Sequence, residues 1–464
     1  MTPFPFLTCA LMKKDTPHIL LINPWIDDFA AYDFWAKPIG ILSIAAILRA
    51  GGYNITYIDA LDRFVSYSST FESAALSKRF GCGPYYKTPL SRPAKLKDVS
   101  RNYSRYGIPE DLFREVIKKV PRPDAVLVSS MMTYWYPGVF AVIRIVRETF
   151  PHTPIILGGI YATLCHEHAI QYSGADHIIS GPGETASLKL LNQLTGYSPP
   201  QHFSNDDLDT YPYPAFDLQR HIPYVPILTS RGCPFRCTYC ASGFLNPKVM
   251  RRHPEGVIDE ILCWHKQYGI RDFPFYDDAL LINAESHIIP ILEGIIRHRV
   301  NVRFHTPNAL HVREISKNLV RLLYHAGFKT IRLGLETAVF HDRKAMDNKI
   351  VPGEFERAVL NLKEGGFSCR EIGAYLLFGL PGQNLSDLEV SIDLVKRYRV
   401  QPILAEYSPI PHTSLWEKAV KASRYDLESD PIFHNNSLFP CWKEGFQSEK
   451  VHYFKQLAHV LDPC

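Results

Sequence analysis

Long apolar runs are missing from this chain of 464 residues, and none approaches the roughly 20 residues that a membrane-spanning helix requires. Blocks of like charge are missing too. The net charge is only +4, which argues against a dedicated nucleic-acid binder. The opening MTPFPFLTCALMKK places its charge after its apolar stretch, the reverse of a signal peptide. A cytoplasmic location, with its thiols reduced, is therefore expected. Most of the ten cysteines are scattered: Cys9, Cys82, Cys165, Cys263, Cys369, Cys441 and Cys464 each stand alone, with no second close pair. What remains is ordinary for a globular protein, 46% hydrophobic and 21% charged, and long enough for two or three domains.

Three cysteines are not scattered. Cys233-Pro234-Phe235-Arg236-Cys237-Thr238-Tyr239-Cys240 brings three thiols into eight residues. The short apolar stretch 227–230 before it reads as a strand, so the thiols ride a loop at a strand's C-terminal end. Thiolates ligate iron–sulfur clusters and zinc. A structural zinc site calls for a fourth ligand, whereas three ligands on a four-iron cluster leave one iron open to a small molecule. The CxxxCxxC spacing, with aromatic Tyr239 before the last cysteine, resembles the signature of the radical S-adenosylmethionine (radical SAM) enzymes. The resemblance implies that Cys233, Cys237 and Cys240 hold a [4Fe-4S] cluster, with Tyr239 in the cofactor site.

Strands are expected at 273–276, 303–306, 330–334, 372–378 and 403–407, each separated by a helix-length segment. With 227–230 they make six βα units, the partial (β/α)6 TIM-type barrel expected of radical SAM enzymes. Functional groups of such a barrel gather at strand C-termini. Asp277-Asp278 closes the second strand; by resemblance this position contacts the methionyl amino group of SAM, the competing reading being a helix cap. Asn308 follows the third strand and could hydrogen-bond the ligand. Glu336, in LGLET, stands where the family has Gly-Ile-Glu-Ser and would reach the ribose hydroxyls or the substrate. YLLFGLPGQ is similar to the family's FGLPGE turn: Gly379 and Gly382 would let the backbone pass close to adenine. Gln383 replaces the usual glutamate, so a contact requiring a carboxylate does not carry over. EYSPIPHTSLW resembles SPxPGT with His412 in place of glycine, either a loop residue or one facing the substrate. The barrel resemblance spans 227–416, and a helical cap is expected over 417–464.

Ahead of the barrel, residues 1–197 alternate strands (18–23, 54–58, 125–129, 155–157, 177–179) with helical segments. That alternation predicts a doubly wound, Rossmann-like parallel sheet. Its ligands would sit at the strand ends, where Asn23, Asp59, Ser129, Ser130, Gly158 and Gly159 gather. The stretch ILGGIYATLCHEHAIQYSGADHIISGPGET resembles the cobalamin-binding domain fused ahead of many radical SAM enzymes, the Gly158-Gly159 turn lying against the cofactor's nucleotide tail. The axial-histidine motif DxHxxG of other cobalamin domains is absent: Asp59-Ala60-Leu61-Asp62-Arg63-Phe64 follows strand two. A Rossmann-like domain that has lost its cofactor is the rival. Cys165, His166 and His168 are a weaker metal candidate, a solvated helix end being the alternative. Residues 64–122 interrupt the alternation as a basic, aromatic insertion, either a lid over cofactor or substrate or a small core of its own. Met131 to Tyr136 could line the same cavity. Residues 198–226, proline-rich, read as a stiff linker.

Taken together, the resemblance implies reductive cleavage of SAM to a 5′-deoxyadenosyl radical, with cobalamin as a further cofactor. Methyl transfer to a small molecule is the first expectation, radical oxidation or ring formation the second. A low-potential donor such as flavodoxin or ferredoxin would be needed, and neither a membrane nor nucleic acid is expected as partner. No residue is assigned to catalysis. From other classes, an iron–sulfur electron carrier or redox sensor would not need Asp277-Asp278, Glu336 and the glycine turn at successive strand ends, and a zinc-stabilised binding module stays open.

Overall fold

Six consecutive buried residues, His18–Asn23 (β1), lie at the centre of a parallel sheet, as expected of a strand covered on both faces. In this computed structural model, residues 16–65, 78–200, 203–339, 346–444 and 446–459 are described. The chain divides into two units, one of residues 1–223 with 430–432, the other of the remainder.

In the first unit, β1 pairs in parallel with Asn54–Asp59 (β2) on one side and Ala125–Val128 (β3) on the other. Ile155–Leu157 (β4) and His177–Ile178 (β5) follow, giving the order β5-β4-β3-β1-β2. The direction of travel reverses between β1 and β3, the position where ligands of such sheets collect. Helices Ile39–Ala50 and Tyr136–Thr149 carry buried aliphatic faces.

The expected insertion forms a three-stranded antiparallel sheet: Tyr103–Tyr106 lies between Lys87–Leu90 and Ile26–Asp28. Ile26–Asp28 belongs to a stretch the sequence left unassigned. Tyr85 and Tyr106 pack with Ile26, and Tyr103 meets the ring of Phe29 edge-on at 5.3 Å. These aromatics therefore fill a small core. Arg105 clamps Asp27 with two bonds of 2.9 Å and also reaches Glu110. Residues 66–77 of this insertion lie outside the described residues.

The proline-rich stretch that reads as a linker is anchored along the first unit. Ala215 donates to the Leu42 carbonyl, Asp217 takes a bidentate bond from Arg49, and Gln219 donates to Asp59. Proline stiffens the backbone without preventing the buried Phe216 from docking.

In the second unit Asp272–Pro274 (β6), Arg303–His305 (β7), Phe328–Glu336 (β8), Ile372–Phe378 (β9) and Gln401–Glu406 (β10) form one parallel sheet in sequence order. The stretch before the cysteine loop adds to its first edge through Val225 N–H to Asp272 O and Ile227 N–H to Pro274 O. Local signals set the helix ends: Ser316 caps Lys317–Ala326 by accepting from Leu319 N, and Gly327 closes it in the left-handed region. After β10, helices Trp416–Ala422 and Ser448–Ala458 flank shorter turns, and Phe439, Trp442 and Phe454 surround Phe378 at the end of β9. The mixed α/β class with parallel sheets is the one the sequence predicts. Among the described residues, no helix is long and apolar enough to cross a membrane.

Candidate cofactor sites

The cysteine loop leaves the first strand of the second unit at Ser230–Arg231, which pairs antiparallel with Met250–Arg251. Cys233 and Cys237 are buried, Cys240 is exposed, and all three thiols are free. Burial pushes each thiol above its ordinary pKa, so a thiolate there calls for neighbouring positive charge, which a bound metal supplies. Among the described residues, no three His, Cys, Asp or Glu side chains converge to hold a single metal ion. Each thiol of a cubane ligates a different iron, so a cluster does not demand that convergence. The donor set, three thiols carried on one short loop, fits a cluster better than a lone zinc ion, which calls for a fourth ligand.

The paired aspartates after β6 do different things. Asp277 is buried, and its carboxylate accepts from Thr229 N, Thr229 Oγ1 (2.6 Å) and Ser230 Oγ (2.5 Å). Asp278 accepts from Ser242 Oγ at 2.6 Å, just beyond the last cysteine. Asn308 donates to the Tyr276 and Asp277 carbonyls, pinning the same turn. Glu336 ends β8 where its register with β9 shifts, and adopts a left-handed φ of 62°, a conformation costly for a side-chain-bearing residue. It is buried, and its charge acts on both Tyr239 and Lys349.

The FGLPGQ turn has Gly379 and Gly382 at φ of 93° and 73°. The space beside Gly379 is filled by the Phe439 ring, 2.9 Å from where a Cβ would stand. Gln383 uses both ends of its amide: Oε1 accepts from Gly379 N at 2.7 Å, and Nε2 donates to Leu377 O at 2.7 Å. A carboxylate could not make that second bond. His412, at φ 66°, stacks on Phe244 at 4.1 Å.

Two residues escaped the sequence reading. His311 is buried with its ring stacked 4.7 Å from Phe235 of the cysteine loop, and neither ring nitrogen has a hydrogen-bond partner among the described residues. Burial, then the nearby Lys349 charge, pushes its pKa down to about 3. Lys349 donates to Tyr239 Oη at 3.4 Å, and its charge acts on the Cys237 thiol. Burial works to lower its pKa, but Glu336 and then Cys237 outweigh that and raise it. Nothing in the periodicity around 346–353 marks the role of Lys349.

In the first unit, the strand ends are tied together. Asn23 donates to Asp59 at 2.8 Å, Ser129 Oγ reaches Asn23 at 3.4 Å, and Ser130 Oγ donates to Gly158 O at 2.7 Å. Gly159, at φ 103°, presses on the Ser130 carbonyl so closely that a Cβ would sit 2.2 Å from it. Gly158 has room, a Cβ meeting nothing nearer than Ile179 at 3.8 Å. A ledge of backbone on which a ligand could lie thus survives at Gly158. The weaker metal candidate is dispersed: His168 bonds Tyr161 Oη at 2.7 Å, His166 meets the Ala162 carbonyl, and burial pushes the Cys165 thiol up to about 12.

Residues 227–395 match the Radical SAM superfamily model, and residues 98–191 match the B12 binding domain model. An uncharacterised methyltransferase of Pyrococcus horikoshii is 25% identical over 68% of this chain and 74% of its own. An anaerobic magnesium-protoporphyrin IX monomethyl ester cyclase of Rubrivivax gelatinosus is 23% identical over 69% of this chain and 62% of its own. The solved radical S-adenosylmethionine methyltransferase TsrM from Kitasatospora setae, with cobalamin and [4Fe-4S] cluster bound, shares the fold with a TM-score of 0.63 at 15% identity, over 88% of this chain and 76% of its own. This chain is a radical SAM superfamily enzyme with a B12-binding-like domain ahead of its radical SAM domain.

Proposed function

We propose that the chain is a cobalamin-dependent radical SAM methyltransferase acting on a small molecule. The observation that carries the reading is the cysteine loop: three free thiols at a strand's C-terminal end, with Asp278, Glu336 and Lys349 around it. Cys233, Cys237 and Cys240 would hold a [4Fe-4S] cluster. When bound, the cluster would supply the electron for reductive cleavage of SAM, and cobalamin would supply the methyl carrier.

The chain's own residues would then bind and orient. Asp277 spends its oxygens on Thr229 and Ser230 and so fixes the strand that launches the cysteine loop. Asp278 is left as the carboxylate better placed to pair with the methionyl ammonium of SAM, an attraction that partial burial strengthens. Asn308, Glu336, Tyr239 and the Gly379–Gly382 turn would complete that site. In the first unit Ser129, Ser130, Gly158 and Gly159 would lie along cobalamin, the ledge at Gly158 offering backbone to the nucleotide tail. His166 and His168 already bond within their own unit, and residues 59–64 hold no histidine, so no axial ligand is assigned.

The test is anaerobic reconstitution with iron, sulfide and hydroxocobalamin, gel filtration, then addition of dithionite and SAM labelled in its methyl group with a metabolite extract. The reading expects iron, sulfide and cobalamin to co-elute with the protein, SAM to be consumed, and label to enter a small product. Cobalamin running free would end the cobalamin assignment. Consumption of SAM with no label transferred would favour radical oxidation or ring formation. A loaded cluster with SAM untouched would favour an electron carrier.

A further inference from the structure

Lys349 is held against the cysteine loop by more than its own side chain. Thr238, between Cys237 and Tyr239, donates its backbone N–H to the Met346 carbonyl at 2.9 Å, and its hydroxyl reaches the same oxygen at 3.3 Å. Three residues on, Lys349 N donates to Asp347 Oδ1 at 3.0 Å, and Asn348 turns the chain with a left-handed φ of 49°. This turn delivers the ammonium beside the cysteine loop, 3.4 Å from Tyr239 Oη and 5.7 Å from that ring's centroid, where its charge acts on the Cys237 thiol. Glu336 supplies an opposing charge from the end of β8. A cation held against the cysteine loop by backbone pairing and two neighbouring side chains is a built feature.

Cluster potentials depend on net charge and on hydrogen bonds to the sulfurs, and both effects of Lys349 run in one direction. A nearby positive charge and a donor to the ligand sulfur each stabilise the reduced, more negative cluster. Resting on the radical SAM reading, we propose that Lys349 is a positioning residue that donates to the Cys237 sulfur when the cluster is bound and raises the cluster's reduction potential. The step it assists is one electron passing from a flavodoxin- or ferredoxin-class donor to the oxidised cluster, which becomes [4Fe-4S]+ as the donor is oxidised by one electron. No proton or bond is exchanged.

The experiment is a redox titration of the reconstituted chain followed by electron paramagnetic resonance of the reduced cluster, on wild type, Lys349→Met and Lys349→Arg at matched iron and sulfide content. Lys349→Met should lower the reduced-to-oxidised ratio at a fixed poise by at least about tenfold, a shift of 59 mV for a one-electron couple. Lys349→Arg, which keeps charge and donor, should stay within about twofold of wild type. If Lys349→Met loads no cluster, Lys349→Gln, which keeps an N–H but loses the charge, is titrated in its place with the same expectation. An unchanged potential in the loaded neutral variant overturns the proposal and leaves Lys349 a partner of Glu336 only. A wild-type chain that binds no cluster overturns the radical SAM reading itself, which separates the two failures.

Discussion

Both units are parallel sheets with largely hydrogen-bonded polar residues at their strand ends, and they differ in the groups they leave available beside them. In the first, Asn23, Asp59, Ser129, Ser130 and Gln219 bond mainly to one another or to backbone. Among the described residues of this unit, Gln219 Oε1 lacks a partner, as do Tyr57 Oη, His18 Nδ1 and Arg63 Nη1 elsewhere in it. In the second, three thiols carry no disulfide, and the buried His311 has no partner for either ring nitrogen among the described residues, a cost of about 1–3 kcal/mol for each unsatisfied group. A self-satisfied rim suits a ligand gripped through backbone and shape. An unsatisfied one suits a ligand that bonds to side chains.

The sharpest test of that contrast substitutes one cysteine in each unit. Cys237→Ala should remove the cluster and abolish SAM cleavage, read as loss of iron, sulfide and all SAM-derived products. Cys165→Ala should leave SAM cleavage intact, because its thiol is buried and paired with no metal-binding partner set. Equal losses from both would break the assignment of the cluster to the second unit.

Next in size is a purely structural effect in the first unit. Arg105 and Asp27 are bonded bidentately with their side chains 10% and 4% exposed. Arg105→Ala should destabilise by about 3–5 kcal/mol, since it strands a buried carboxylate, and Asp27→Asn in the same chain should recover part of that loss. Thermal unfolding of the apo-protein measures both. A loss under 1 kcal/mol would mean that the small antiparallel sheet contributes little to the unit's stability.

How much of this was legible in the sequence follows from how local each feature is. The cysteine loop packs its ligand set into eight residues, so spacing alone exposes it. The parallel strands were legible because buried strands write themselves as continuous apolar runs, as in residues 18–23. Lys349 and His311 were not, because each meets the loop only through tertiary folding and neither sits in a periodic segment. The different jobs of Asp277 and Asp278 were hidden for the same reason: Thr229 and Ser230, which occupy Asp277, lie 48 and 47 residues away in sequence. Ile26–Asp28 was missed because three residues are too few to show alternation.

His311 also gives the second unit a pH signature of its own. Its folded pKa, about 3, lies below the 6.5 of an unfolded histidine. Between those values the unfolded chain binds a proton that the folded chain refuses, so stability falls as pH drops from 6.5 toward 3. The slope contributed by one such group is at most about 1.4 kcal/mol per pH unit. His311→Gln in the apo-protein should flatten the loss of urea resistance between pH 7 and pH 5. An unaltered slope would show that the ring finds a partner in solution.

The smallest expected effect concerns Gln383, where the chain departs from the resembling family's glutamate. Its Nε2 donates to Leu377 O, and its Oε1 accepts from Gly379 N and, at 3.3 Å, from Leu380 N. Gln383→Glu keeps the acceptor and strengthens those two bonds by charge, yet turns the other end from donor to acceptor against a carbonyl. The lost bond and the unsatisfied carbonyl should outweigh the gain by about 1 kcal/mol. The variant should therefore melt slightly earlier while its affinity for SAM, measured by equilibrium dialysis on the loaded protein, stays within about twofold. A variant that is more stable, or that binds SAM markedly tighter, would mean that the turn opens to let a carboxylate reach the ligand, and the second unit's strand ends would then include one more ligand-facing side chain than the contrast allows.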